Sequence, residues 1–414
     1  MREQRLDRQL RIEGWNQEAL DEAHVGVVGD DDLLASIFVL SASALGVNNL
    51  VVIAPRLNDP LLDTARRLNG RLNLVHVEGY YTHPLLDELF SGCNLLVDLS
   101  RYGLANKLLL NRGFHEGIPL IRGFASEEDR RSGCSAFTYL RGREWRELER
   151  LLSPETLPAP HQDDGVLDLI VSGLALAEAA ALLMGRPVSE EIISYRRKSL
   201  GITGVHPRLL VVGAGALGTF VGLGLVYAGF RTITFMDPDV VETTNLNRQV
   251  FFHDAVGSKK AEALAKRFEA MFGIRARSQV DYLRGDTDLS SFDAVFDCVD
   301  NFETKLVLSE KCREDGKVLV SGGTGVDSGQ AVPYRPGKDK RTPAEILGLY
   351  EIVDRRRAET YERIRASCAY QPDPSVIMTN QIVAGLMVDT YRIIQADGEP
   401  VSLFYGPGGI RQGE

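Results

Sequence analysis

The sequence predicts an α/β protein of two tandem, doubly wound domains that form a pseudo-dimer inside one chain. Three observations predict it. The stretch RLLVVGAGALGTF, Arg208 to Phe220, reads as an apolar strand, a glycine turn and the start of a helix. HVGVVG, His24 to Gly29, is a similar strand with a helical stretch behind it. The elements that follow each run come in the same order, so an internal repeat of about 200 residues accounts for the length.

In the first half, the strand His24 to Gly29 leads to a helix ending at Leu45 and a strand from Asn49 to Ala54. A strand from Asn94 to Asp98 precedes a helix that ends near Glu116 and Gly117, and Pro119 to Ile121 is the next strand. A long helix rich in small residues, Leu167 to Met184, and a short strand, Pro187 to Tyr195, complete the half. The second half repeats this plan. Its helix after the glycine turn runs to about Tyr227, and Thr232 to Met236 is a strand closed by Asp237. Then come a strand from Phe292 to Asp297, a helix ending at Asp315 and Gly316, and a strand from Lys317 to Val320. A long helix, Ser375 to Ile394, and a strand, Pro400 to Tyr405, finish it. Strands alternating with helices imply a mostly parallel, Rossmann-like sheet in each half. The division is expected near Lys198 to Val205, giving domains 1–200 and 201–414.

Composition narrows the function. With 414 residues, of which 44 % are hydrophobic and 25 % charged, the chain is long enough for more than one core and is ordinary for a folded protein. Its net charge of -10 argues against nucleic acid as a partner. The opening MREQRLDRQLRIEGW is charged from its second residue, which is unlike a secretory or transit segment. The longest apolar run, around Leu174 to Met184, is interrupted by Glu178, so no membrane span and a cytoplasmic location are expected. Five cysteines, Cys93, Cys134, Cys298, Cys312 and Cys368, form no Cys-x-x-Cys pair, so structural zinc is not expected.

Only the second half has the residues of a nucleotide site. Gly213, Gly215 and Gly218 permit a tight turn and close approach of phosphate to a helix N-terminus, and Asp237 stands where a carboxylate accepts hydrogen bonds from ribose. Laid on the first half, these positions become Gly29, Asp31, Leu34 and Ala54. The run Asp30-Asp31-Asp32 would repel a polyanion by roughly 1 to 4 kcal/mol for each carboxylate about 4 Å away. An acidic loop and helix cap is the expected reading of these aspartates.

After Asp237 the chain reads DPDVVETTNLNRQVFFHDAVGSKKAEALAKRF, and further on FDAVFDCVDNFETK. The ordered set of glycine turn, Asp, NLNRQ, Gly-x-x-Lys and CVDN resembles the ubiquitin-activating superfamily, which includes the molybdopterin and thiamine sulfur-carrier adenylyltransferases. The resemblance covers most of the second half. It implies ATP and Mg²⁺ as cofactors, roles at the nucleotide for Asn245, Arg248, Gln249 and Lys260, and the metal at Asp300. Cations aimed at the phosphates, Arg248 and Lys260 among them, would offset the repulsion between an attacking carboxylate and the α-phosphate. RLDRQLRIEGWNQEAL resembles the opening segment of the same family, in whose dimeric members an arginine matching Arg8 reaches the partner's ATP. Here that crossing is expected within one molecule.

The resemblance further implies a ubiquitin-like, β-grasp partner ending in glycine, adenylated at its C-terminal carboxylate. Cys368 lies at the end of a crossover segment, 335–372, ahead of the long late helix. That layout is similar to compact thioester-forming members, so Cys368 is the expected thioester cysteine, with Arg363 and Arg365 favouring the thiolate and a conjugating-type enzyme as acceptor. Cys298 and Cys312 read as structural. The chain ends about twenty residues beyond the late helix, where larger members carry a ubiquitin-like-fold domain, which leaves the recruitment of a conjugating enzyme open. Three readings compete with full activation: adenylation alone for a sulfur carrier or peptide, a nicotinamide-dependent oxidoreductase using the same glycines, and a scaffold without catalysis. The oxidoreductase leaves Arg248, Lys260 and Asp300 unexplained.

Overall fold

A computed structural model describes residues 2–128, 131–141, 152–161, 163–200, 206–354 and 374–413. Two α/β lobes are built on the same Rossmann-like plan. Strands β1 (His24–Gly29), β2 (Asn49–Ala54), β3 (Asn73–Glu78), β4 (Leu95–Leu99), β5 (Leu120–Glu128), β6 (Arg131–Tyr139) and β7 (Ile193–Lys198) form the first sheet, in the order β3-β2-β1-β4-β5-β6-β7. The second sheet contains β8 (Leu209–Val212), β9 (Thr232–Met236), β10 (Arg275–Gln279), β11 (Ala294–Asp297), β12 (Val318–Thr324), β13 (Gly329–Tyr334), β14 (Leu403–Gly406) and β15 (Gly409–Gln412). Its order, β10-β9-β8-β11-β12-β13-β14-β15, repeats the first and adds a strand. The first five strands in each order are parallel, and those beyond pair antiparallel.

Even the registers repeat. In the first lobe Val28 faces Asp98 on one side and Ile53 on the other, and in the second Val212 faces Asp297 and Met236. The two carboxyl edges can therefore be superposed residue by residue. Central strands such as LLVV of β8 are buried on both faces, as a sheet covered by helices requires. The edge strands β3 and β10 are polar and half-exposed, and pattern reading passes over them. Boundaries shift as well: β5 extends to Glu128, and β7 begins at Ile193, after the stretch from Pro187 expected to start it.

The long helices Gly165–Leu183 and Ile377–Gln395 join the lobes face to face. A Cβ on Gly173 would come within 2.7 Å of Ile382, and one on Gly385 would overlap Ile170, so each helix offers a glycine groove to the other's isoleucine. Polar locks flank this seam. Gln381 donates to the carbonyl of Leu169 at 2.9 Å and accepts from Ser41 at 2.7 Å. Asp389 accepts from Tyr195 at 2.8 Å and from Arg197 at 2.6 Å, while Arg392 spans both oxygens of Asp164. One apolar core runs through both lobes.

Helix Gly165–Leu183 corrects one expectation. Its length and composition would suit a bilayer despite Glu178, but 78 % of its most apolar window is buried inside the protein. Glu178 is itself buried, accepting from Thr138 and from the amide of Ser189.

Candidate functional site

Strand β8 delivers the chain to Gly213, whose φ of +95° suits glycine, and a Cβ there would press on the Cys298 carbonyl at 2.7 Å. A Cβ on Gly218 would overlap the carbonyl oxygen of Gly213, so only glycine lets the helix start so close to the strand. Gly215 caps helix Ala216–Tyr227 without a side-chain acceptor, so among the described residues no cap carboxylate takes its first amides. An anion fits such a helix end.

Asp237 is buried, and its oxygens accept the amides of Ala214 at 2.7 Å and Asp239 at 2.8 Å. Burial pushes its carboxyl above the ordinary range, with the Lys260 ammonium opposing. This aspartate holds the glycine loop in shape, and each oxygen keeps a second lone pair. Lys260 opens helix Lys260–Phe272 and is buried rather than a solvated surface lysine, its Nζ 2.9 Å from Asp239.

The NLNRQ turn lies beside the loop. Asn245 closes a reciprocal cap, accepting from the Glu242 amide at 2.9 Å. Arg248 is buried and donates to the Thr244 carbonyl at 3.0 Å and to Asn247 at 2.8 Å. Burial, and then the charge of Arg8, push the Arg248 guanidinium down to about 10, against the pull of Asp300 and Glu242. Gln249 is buried beside Gly215, with an amide oxygen that has no partner among the described residues. Asp300 is exposed past the end of β11, and Asn301, not Asp300, caps the next helix by accepting the Thr304 amide at 2.7 Å. The Asp300 carboxylate is not spent on the cap.

Arg8 arrives from helix Arg2–Leu10. Arg5 fixes that helix to the first lobe through the Ala44 carbonyl, and Gln9 does so through the Leu45 carbonyl at 2.8 Å. On its other side Gln9 accepts from Asn247 of the second lobe at 3.1 Å. Gln9 and Asn247 thus bridge the helix that carries Arg8 to the turn that carries Arg248. Sequence reading missed both as working residues, although Asn247 lies inside the quoted NLNRQ motif.

Cys368, with Arg363 and Arg365, lies outside the described residues, as does all of the crossover segment after Asp354. Burial pushes the Cys298 thiol well up and the Cys312 thiol to about 12, as suits packing cysteines.

The first lobe shows what replaces a nucleotide. Asp31, at the place of Gly215, is buried and accepts the amides of Leu33 at 3.0 Å and Leu34 at 2.7 Å, so a carboxylate occupies the helix end. By strand register Arg101 is the counterpart of Asp300, each three residues after the matched Asp98 and Asp297. Its guanidinium lies 3.7 Å from Asp31, 3.5 Å from Asp163 and 3.2 Å from Asp168. Anion and cation have exchanged places between the lobes. Residues 152–161 lie across this edge, with the Ser153 hydroxyl donating to the Arg101 carbonyl and the Leu104 amide to Thr156.

Comparison with known proteins bears on residues 205–404, which match the ThiF family. The chain is 36 % identical over 137 residues to a SAMP-activating enzyme E1 of Haloferax volcanii, covering 31 % of this chain and 50 % of that protein. It is 32 % identical over 170 residues to an adenylyltransferase and sulfurtransferase, uba4, of Aspergillus terreus, covering 37 % and 35 %. Over 256 residues it is 28 % identical to ubiquitin-like modifier-activating enzyme 5 of Oryza sativa subsp. japonica, covering 53 % and 58 %. The chain therefore spans between 35 % and 58 % of the length of these relatives. Among solved structures, MccB of E. coli with succinimide aligns at a TM-score of 0.41 and 18 % identity, covering 50 % of this chain and 63 % of that one.

Proposed function

Because residues 205–404 match the ThiF family, we propose that the chain uses ATP and Mg²⁺ to adenylate the C-terminal carboxylate of a ubiquitin-like, β-grasp carrier, and then holds the carrier as a thioester on Cys368. The observation that carries the first step is a helix start capped only by Gly215, with Gln249 against it and, next in the chain, a buried Arg248 that feels the charges of Arg8 and Asp300.

The residues suit a triphosphate. Amides at the start of the helix behind Gly215 would donate to phosphate oxygens, and the Gln249 amide oxygen, without a partner among the described residues, offers an acceptor to the nucleotide or its water. Asp300 would hold Mg²⁺, which supplies charge neutralisation at the phosphates. Arg248 and Arg8 stabilise the added charge at the α-phosphorus as a carboxylate oxygen of the carrier attacks it. The bond from that phosphorus to the bridging oxygen breaks, and pyrophosphate leaves with both electrons. Lys260, drawn by Asp239 in this state, swings to the departing phosphates. In the second step the Cys368 thiolate attacks the carbonyl carbon of the mixed anhydride, the carbon–oxygen bond breaks, and AMP departs. A conjugating-type enzyme is the proposed acceptor, and the cytoplasm the proposed location.

A second reading, adenylation without a thioester, draws on the relative named as both adenylyltransferase and sulfurtransferase. One pair of measurements separates the two. A small β-grasp protein encoded beside this gene, with ATP and Mg²⁺, should drive ATP–pyrophosphate exchange and give a reductant-sensitive adduct lost in Cys368→Ala. Exchange without any adduct supports adenylation alone. Absence of exchange, with no ATP binding by calorimetry, sinks both.

A further inference from the structure

A buried ion pair lies at the end of the second lobe's central strand. Asp297, the last residue of β11, is fully buried, and Lys305 of helix Phe302–Glu314 is 4 % exposed. Lys305 Nζ lies 3.1 Å from each Asp297 oxygen and donates also to the Gly322 carbonyl of β12. Asp297 further accepts the Val299 amide at 3.2 Å and the Ser321 hydroxyl. Taking such a pair out of water costs about as much as its attraction returns, so stability alone does not account for it.

Its place in the chain does. Only Cys298 to Asn301 separate β11 from the start of the helix, and Asp300 stands in that loop. The loop's first residue is tied to the glycine turn. The Cys298 amide donates to the Val212 carbonyl at 2.8 Å, and the Cys298 carbonyl packs closely on Gly213. Its last residue, Asn301, caps the helix through the Thr304 amide. Lys305, one turn into the helix, reaches back to Asp297 and closes the base of the loop. Asp300 is thereby carried on a short loop held at both ends.

The first lobe holds the same carboxylate in another way. Asp98 matches Asp297 by register, and eight residues on, in the place of Lys305, stands Asn106, which donates to Asp98 at 2.8 Å. The cation there is Arg122, on the neighbouring strand at the place of Ser321, 3.0 Å from Asp98. A cation from the strand serves the loop that carries Arg101, and a cation from the helix serves the loop that carries Asp300.

We propose that Lys305 is a positioning residue for Asp300: its bond to Asp297 staples helix Phe302–Glu314 to β11 and fixes the loop in the setting in which Asp300 meets the nucleotide's divalent ion. This rests on the nucleotide reading of the second lobe and extends it to a residue that touches neither ATP nor metal. Displacing a ligand carboxylate by about 1 Å weakens its hold on the ion on the order of 10- to 100-fold.

The test measures ATP binding to the full chain by calorimetry, in EDTA and again with Mn²⁺, so that no carrier is needed. Asp297→Asn combined with Lys305→Met removes both charges while keeping the shape and the acceptor for the Val299 amide. This double variant should unfold within a few degrees of the unchanged protein and bind metal-free ATP equally well. It should lose at least tenfold of the tightening that Mn²⁺ brings, as Asp300→Asn does, whereas Lys305→Arg, which keeps the staple, retains it. Full Mn²⁺ tightening in a stable double variant, or equal weakening with and without Mn²⁺, would overturn the proposal. So would loss of the fold in the double variant, which would make the pair a folding element alone, or loss of the tightening in Lys305→Arg. An unchanged chain that binds no ATP under either condition would sink the nucleotide reading itself, and this inference with it.

Discussion

Arg8 and Arg248 are two cations whose charges act on each other, Arg8 being one of the groups that push the Arg248 guanidinium down. Arg8→Ala is expected to lower carrier-dependent ATP–pyrophosphate exchange by roughly 10²-fold, the scale of losing one charged donor to a transition state. The exchange assay checks this, with exchange at the level of the unchanged protein counting against a role for Arg8. Asp31 bears the opposite burden. Burial, with Asp163 and Asp30 adding to it and Arg101 opposing, raises its carboxyl to about 7. The folded state thus keeps a proton that the unfolded chain, with its ordinary pKa near 3.8, gives up sooner. That contribution to stability is complete at acid pH and is lost as pH rises through 7. Asp31→Asn should flatten the fall in denaturation midpoint between about pH 4 and pH 7; an unchanged slope would show that another group sets it.

Among the elements, strands buried on both faces were legible because their apolar runs stop at turn residues: β1, β2 and β9 have the bounds expected for them. The edge strands were not, since NLVHVE and RARSQ carry no continuous apolar run. Of the candidate site, the glycine loop was legible from the strand–turn–helix pattern, whereas Lys260 and Asp300 stood out only through the resemblance to a family. The pairing of Gln9 with Asn247 could not, because it joins residues 238 apart through contacts that only the folded lobes create. Arg101 lay between these cases, visible once Asp98 and Asp297 are aligned by register. The lobe seam belongs to this scale too. Gly385→Val would force its added methyl groups into Ile170, costing about 1–3 kcal/mol by overpacking, readable as a lowered denaturant midpoint.

Across the whole molecule, one apolar core and the charged locks at Asp389 and Asp164 make the lobes a single unit. The first lobe has an ion pair of its own where the second has a glycine loop and Asp300, and in return it lends the second an N-terminal helix. Because that helix is bound to both lobes of its own chain, mixing Arg8→Ala protein with Arg248→Ala protein should restore no exchange activity. Recovery of about a quarter or more would mean that the helix is traded between molecules.

The same tether removes assembly from the kinetics. An enzyme whose site is completed by a second polypeptide loses specific activity when diluted below the dissociation constant of its dimer. Here Gln9 ties the completing helix to its own Asn247 and Leu45, so output per molecule should hold constant down to nanomolar enzyme, and a cell could run the reaction on very few copies.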